Sequence, residues 1–160
     1  ASDVYKRQGV DALRALLSVP VIGVCQAAML SASVISAGFS VVTTLPRSIP
    51  IIEDLALRYG MERKCRSVRA ADIPVLDLEE DSVAARKKIA EEARIAVDKD
   101  RCEAIILGCA GMADLPASLS EEMGIPVIDG VTAGVIFIEA MIGAGIKTSK
   151  SGAYAPPRDK

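Results

Sequence analysis

The sequence predicts an α/β fold, with parallel sheets flanked by helices. Three observations carry that prediction. Short β-branched apolar runs alternate along the chain with longer stretches of helical spacing. The strand-like runs are continuously apolar rather than alternating, as expected where helices cover both faces of a sheet. At 160 residues, 51% apolar and 25% charged, the chain can supply both a sizeable core and a solvated surface.

Each element follows from local pattern. "VDALRALLSV" has the apolar spacing of a helix, ended by Pro20. "PVIGV" reads as a short buried strand. Residues 26–37 form an apolar, small-residue helix stopped by Gly38. "FSVVTT" is β-branched and bounded, hence a strand. A helix opens at Ser48 or Pro50, runs to Tyr59 and ends at Gly60. "CRSVRAADIPVLDL" is a strand or a loop crossing. "DSVAARKKIAEEARIAVDKD" is an amphipathic helix with Asp81 as its N-cap. "EAIILG" is a buried strand, Pro116–Met123 a helix, "IPVIDG" a strand and Val131–Ala144 a helix, followed by an extended tail, "GAYAPPRDK".

Composition narrows the function. The net charge is -2 and no basic run occurs, so neither nucleic acid nor a membrane surface is an expected partner. No apolar segment is long and unbroken enough to span a bilayer. With aromatics at 3% and no Trp, base or sugar stacking is not the theme. Histidine is absent, which rules out Ser-His-Asp and Cys-His catalysis within this chain and removes the commonest zinc ligand. The four cysteines, Cys25, Cys65, Cys102 and Cys109, form no CxxC pair. Neither a disulfide framework nor a metal site is expected, and a reducing cytoplasm suits them.

The first residues stand apart from the rest. Asp3 to Gln8, "DVYKRQ", back-translates to GAT GTG TAT AAG AGA CAG, which resembles the mosaic end used in transposase-based sequencing libraries. Residues 1–8 are therefore expected to be a translated adapter that packs against nothing, with the gene-derived chain starting near Gly9.

In parallel α/β sheets, ligands bind at the carboxyl ends of the strands. "VCQAAM", "VTTLPRS" and "LGCAGM" fall there and should converge on one crevice. Cys109 lies at the strand-to-helix turn after "EAIILG", between Gly108 and Gly111. Amides at a helix start lower a thiol's pKa and can hold an oxyanion. A thiolate there could remove a proton next to a carbonyl while N–H groups stabilise the enolate. Burial as a small core residue is the alternative for Cys109. Asp114 could assist it or cap the next helix. Cys25 reads as packing, and Cys65 and Cys102 as structural. Thr43 and Thr44 suit ligand contact and helix capping equally. Ser48 reads as an N-cap, and Lys87 and Lys88 as a solvated helix face.

Four blocks in order, "FSVVTTLPRSIPIIEDLALRYG", "EAIILGCAGM", "GIPVIDGV" and "TSKSGAYAPP", resemble the hydantoin/allantoin racemase group of the aspartate/glutamate racemase superfamily. The likeness runs from about Gly9 to Pro157. It implies two α/β lobes related by a pseudo-two-fold, with the site in the cleft. Residues 9–160 would be the racemase-like region, with about 21–125 the more complete lobe and 9–20 and 126–160 a remnant of the other. It also implies a racemase with no cofactor and no metal, in which two cysteines face opposite sides of the substrate's α-carbon. Cys109 matches the second of these. Ala110, Gly111 and Met112 match the loop after it, and Thr43 and Thr44 match substrate-contacting positions. The expected partners are a small-molecule substrate and, in the full-length protein, further copies of itself as a homo-oligomer.

One departure stands out. The family's first cysteine opens a Cys-Phe-x-Asp-Pro-Gly stretch before the helix matching "VDALRALL". Counting back from Gly9 puts it at Val4, which cannot exchange a proton. The parent is therefore expected to be a racemase of 5-substituted hydantoins or allantoin, and this fragment to be inactive. The competing readings are an aspartate or glutamate racemase, a single-cysteine decarboxylase or isomerase of the same superfamily, and a non-catalytic small-ligand binding domain.

Overall fold

The computed structural model describes residues 2–74, 82–109 and 115–155, with side chains described from Gly9 onward except at Ser82. Among these residues lie four strands and six α-helices: α1 (Ser2–Leu16), α2 (Val24–Ile35), β1 (Phe39–Thr43), α3 (Ile49–Arg58), β2 (Cys65–Ala70), α4 (Ser82–Asp100), β3 (Ala104–Leu107), α5 (Pro116–Met123), β4 (Val127–Asp129) and α6 (Gly130–Gly143). The strands form one parallel sheet in the order β2-β1-β3-β4. The predicted α/β class with a parallel sheet is the one observed.

The period of two along each strand divides the core between the two faces of the sheet. Val41 of β1 and Ala104 and Ile106 of β3 pack with Ala28, Met29 and Ala32 of α2 and Ile52 and Ala56 of α3. Val42, Ile105 and Leu107 point the other way, onto Ile89, Ala93 and Ala96 of α4 and Leu119 of α5. All of β1 and β3 is buried, which is why their apolar runs show no alternation in the sequence.

Helix α6 crosses α2 closely because the residues at the crossing are small. A Cβ added to Gly130 would sit 2.8 Å from the Val24 carbonyl oxygen, and one on Gly134 3.9 Å from the Ala27 Cβ. The Asp129 carboxylate caps α6 by accepting from the Thr132 N–H at 2.7 Å.

The block "TSKSGAY" has a plain structural role, since it ties down α1. Thr148 donates to the Ser18 and Val19 carbonyls. Lys150 Nζ donates to the carbonyls of Arg14 and Ala15 at 2.6 and 2.9 Å, satisfying acceptors left open in the last turn of α1. The Tyr154 hydroxyl donates to Asp11, and the Arg14 guanidinium lies 6.0 Å from the Tyr154 ring centre.

On the other face of the sheet, Asp100 at the end of α4 accepts from Arg69 Nε and Nη2 at 2.6 and 2.8 Å and from the Ser67 hydroxyl at 2.5 Å. This forked pair holds the Asp100 carboxyl below its usual range and anchors α4 to the edge strand β2.

Some elements differ from expectation. "PVIGV" is not a strand: among the described residues no strand pairs with it, the Val21 carbonyl accepts from Arg14 Nε instead, and α2 begins at Val24. α2 stops at Ile35 rather than at Gly38, because the Ser36 hydroxyl and N–H both donate to the Ala32 carbonyl and close the last turn. Gly38 lies beneath the exposed Arg66 side chain, which a Cβ there would have to displace. Ser48 occupies the position before α3 but makes no side-chain cap; the 3-10 turn Pro46–Ser48 leads into the helix. "CRSVRAADIPVLDL" resolves into strand β2 followed by coil over residues 71–74. Asp81, expected as an N-cap, lies outside the described residues. The tail contains a short 3-10 turn, Gly152–Tyr154, and residues 156–160 lie outside the described residues. The helix backbone of α1 starts at Ser2, and the side chains of residues 1–8 lie outside the description. Among the described residues no helix is long and apolar enough to cross a membrane.

Candidate active site

Strand order reverses direction between β1 and β3, since β1 leads outward to β2 while β3 leads on to β4. Such a switch point leaves a crevice at the carboxyl ends of the strands, because the connections depart to opposite sides. A cavity of about 110 Å³ opens there, on the α2 and α3 side of the sheet.

Two of the three stretches expected to converge line this cavity directly. β3 and the turn after it bring Leu107, Gly108 and Cys109, and the start of α2 brings Val24, Cys25 and Ala28. No residue of the third, "VTTLPRS" (residues 42–48), is among the described lining residues; β1 contributes Val41, just before that stretch. Thr43 and Thr44, at and just after the end of β1, are 2% and 4% exposed and are not among the cavity's lining residues. Thr43 instead packs against the turn that carries Cys109: a Cβ on Gly108 would come within 2.9 Å of the Thr43 Cβ and 3.1 Å of its Cα. Ala110, Gly111, Met112 and Asp114 lie outside the described residues.

Cys109 is half-buried. It lines the cavity and also packs at the margin of the core on the opposite sheet face. Its position is set by Gly108, whose N–H donates to the Val42 carbonyl at 2.8 Å and so extends the β1–β3 ladder one step beyond the strand. Gly108→Ala should lower stability by about 1–3 kcal/mol, since the added methyl meets the Thr43 backbone as well as its side chain. Gly130→Ala, facing a backbone carbonyl, should cost a similar amount. Urea unfolding of each variant would check this; unchanged midpoints would mean that the turn and the α2–α6 crossing tolerate more separation than their close approach implies.

The other cysteines divide by environment. Burial pushes the Cys65 thiol up to about 11, helped by the nearby Glu53 carboxylate. Burial raises Cys102 as well. Neither lines the cavity. Cys25, read from the sequence as packing, lies in the first turn of α2 and shares the cavity with Cys109. Tyr59, near the end of α3, also reaches it, and its hydroxyl is raised by burial and by its proximity to Cys25.

Asp129 is the single charged side chain among the described lining residues, and no Lys or Arg is among them. It is 6% exposed and engaged with α6. The remaining wall is aliphatic, built from Val41, Ile51, Ile52 and Leu55. Tyr59 and Asp129 are cavity residues that the sequence did not single out, and Cys25 was read there only as packing. The only signal for Asp129 was its place at the end of a strand directly before a glycine. Among the described residues no group of three or more Cys, Asp or Glu side chains comes together as a metal site.

These features define a parallel α/β domain with a thiol-bearing crevice at the carboxyl edge of its sheet. Residues 5–138 match the Asp/Glu/hydantoin racemase family, and the chain belongs to that family. It is 56% identical over 152 residues to a hydantoin racemase of Rhizobium meliloti, covering 95% of this chain and 63% of that protein. The allantoin racemase from Klebsiella pneumoniae superposes with a TM-score of 0.91 at 42% identity, covering 98% of this chain and 64% of that one. The allantoin racemase from Pseudomonas fluorescens gives 0.91 at 44% identity, covering 94% and 64%. The chain thus spans just under two thirds of the length of the relatives it matches.

Proposed function

We propose that this chain forms part of a cofactor-independent racemase of 5-substituted hydantoins or allantoin, working in the cytoplasm. In this reading a cysteine thiolate removes the proton from the α-carbon, which is C5 of the ring. The carbonyl next to that carbon receives the electron pair as an enolate, and an acid on the opposite ring face returns a proton. Cys109 is the base of one face. The observation that carries the reading is that Cys109 lines the cavity at the strand switch point, within a "GCAGM" stretch shared with the family's second cysteine.

The cavity's composition favours a neutral ring over a free acidic amino acid. Aspartate or glutamate brings carboxylates that need cationic or multiple N–H partners once desolvated, whereas the described walls offer one carboxylate and no cation. The hydantoin ring presents polar edges but no formal charge before ionisation.

The test is proton exchange. One enantiomer of 5-isobutylhydantoin in D₂O should lose its C5–H NMR signal faster with the chain than in a protein-free control. Cys109→Ser should remove that excess, since losing a positioned base costs about 10²–10⁴-fold. Exchange surviving unchanged in the variant would defeat the assignment of Cys109. Release of carbon dioxide from an arylmalonate instead would redirect the reading to the decarboxylase branch.

A further inference from the structure

Resting on the racemase reading above, we infer that Asp129 is a substrate-binding residue: its carboxylate accepts a hydrogen bond from N1–H, the ring N–H bonded directly to C5, and so orients the C5 hydrogen toward Cys109. The two side chains line the same cavity. Strand register sets how they stand to each other. Asp129 ends β4 and lies opposite Leu107 of β3, so these two side chains leave the same face of the sheet. Cys109 follows two residues after Leu107, and the Gly108 N–H bond to the Val42 carbonyl keeps the chain on the ladder between them. Leu107 and Cys109 pack against the same core, which shows that Cys109 keeps that direction. Strand spacing and rise put the Cα atoms of Cys109 and Asp129 about 8 Å apart. A five-membered ring fits between a thiol and a carboxylate projecting from such positions, with C5 toward the sulfur and the adjacent N–H toward oxygen.

The carboxylate is held in place before any ligand arrives. Asp129 has extended backbone at the start of α6, and its Oδ2 accepts from the Thr132 N–H at 2.7 Å. A carboxylate has about four acceptor positions, so this bond leaves capacity for a ligand donor. Capping alone does not call for a charge, since Asn and Ser cap as well as Asp. Asp129 is only 6% exposed, and withdrawing a carboxylate from water is costly where a neutral cap would serve. A ligand N–H at the cavity wall offsets that cost.

The chemistry selects which ring N–H is involved. N3–H lies between the two carbonyls, away from C5, whereas N1 is bonded to C5 itself. When the proton leaves C5, negative charge gathers on the C4 oxygen. A carboxylate at N1 stands farther from that charge than one at N3 would, and the start of α6 offsets part of the carboxylate's own charge.

The experiment compares three ligands on two proteins by NMR titration: 5-isobutylhydantoin, its 1-methyl derivative and its 3-methyl derivative, on the unmodified chain and on Asp129→Asn. The variant keeps a capping oxygen and nearly the same volume. The unmodified chain should bind the 3-methyl compound at least about tenfold more tightly than the 1-methyl compound, the scale of a hydrogen bond to a charged group. Asp129→Asn should weaken the unmethylated and 3-methyl ligands by about tenfold and leave the 1-methyl ligand within about twofold. A purely structural role for Asp129 would move all three alike, and that outcome would overturn the inference. Equal binding of the two methyl isomers to the unmodified chain would also overturn it, and this comparison stands even if the variant fails to fold. Loss of the C5–H signal in D₂O, read on the unmodified chain with 5-isobutylhydantoin, keeps the two claims apart. Catalysed exchange without the predicted ligand pattern overturns the role of Asp129 and leaves the racemase reading intact. Absence of both binding and exchange overturns the racemase reading and this inference with it.

Discussion

A single enantiomer of 5-isobutylhydantoin is expected to keep its optical rotation during incubation with this 160-residue chain, even while its C5 proton exchanges with solvent deuterium. Racemisation requires proton return from the face opposite removal. In the proposed reading Cys109 approaches the ring from one side, and a thiol that picks up deuterium from solvent and gives it back exchanges the atom without inverting the centre. In the same proposed reading, the position matching the family's first cysteine is Val4, a hydrocarbon side chain with no proton to give. Absence of a positioned acid or base costs about 10²–10⁴-fold in rate. The chain spans 64% of the length of the Klebsiella pneumoniae allantoin racemase. Polarimetry and the C5–H NMR signal, read from the same sample against a protein-free control, separate exchange from inversion. Rapid loss of rotation with the chain would sink the view that Val4 marks a missing catalytic base. Loss of rotation in a longer form with cysteine at that position, and not in this one, would support it.

Thiol alkylation should divide the four cysteines into two pairs. Cys109 and Cys25 line the cavity and should be labelled by iodoacetamide at pH 8, with Cys109 the faster. Cys65 and Cys102 should be spared in the folded chain. Cys65, raised from 9.0 to about 11, carries about a hundredfold less thiolate at that pH than an unperturbed thiol. Cys102 is 5% exposed and raised by the same cause. Labelling of Cys65 should therefore keep climbing toward pH 11 rather than levelling near 9. Stability follows the same sign. A thiol raised on folding favours the native state below its unfolded pKa, and that contribution fades as the pH climbs from about 9 toward 11. Added 5-isobutylhydantoin should slow labelling of the cavity pair. Peptide mapping over a pH series reads all of this, and labelling of Cys65 as fast as Cys109 at pH 8 would contradict the division.

Much of the fold was legible because it depends on local pattern. The runs "FSVV" and "AIIL" are apolar at every position because β1 and β3 are the two central strands, and a central strand has no solvent face to mark with polar residues. Pro116 at the first turn of α5 and Gly124 at its left-handed C-cap bound that helix by backbone geometry alone. Cys109 stood out for the same reason: a cysteine flanked by glycine just past such a strand has to occur where a parallel sheet opens to ligands.

The sequence by itself thus determined the α/β class, the order of the elements apart from the strand expected at "PVIGV", the carboxyl-edge position of Cys109 and the racemase family. Only the tertiary structure decided which side chains share the cavity. Cys25 and Cys109 meet there because α2 and β3 come to the same edge of the sheet, a through-space relation that no local period encodes. "PVIGV" has the composition of a strand, yet strand formation needs a neighbour's hydrogen bonds, and the Val21 carbonyl finds Arg14 instead. Thr43 and Thr44 end β1 near the site but are buried, and Thr43 faces Gly108 because β1 and β3 are in register at that turn. Ile51 and Leu55 follow the apolar period of any core-facing helix, and the strand order β2-β1-β3-β4 is what turns part of that face toward an open crevice instead of a closed core.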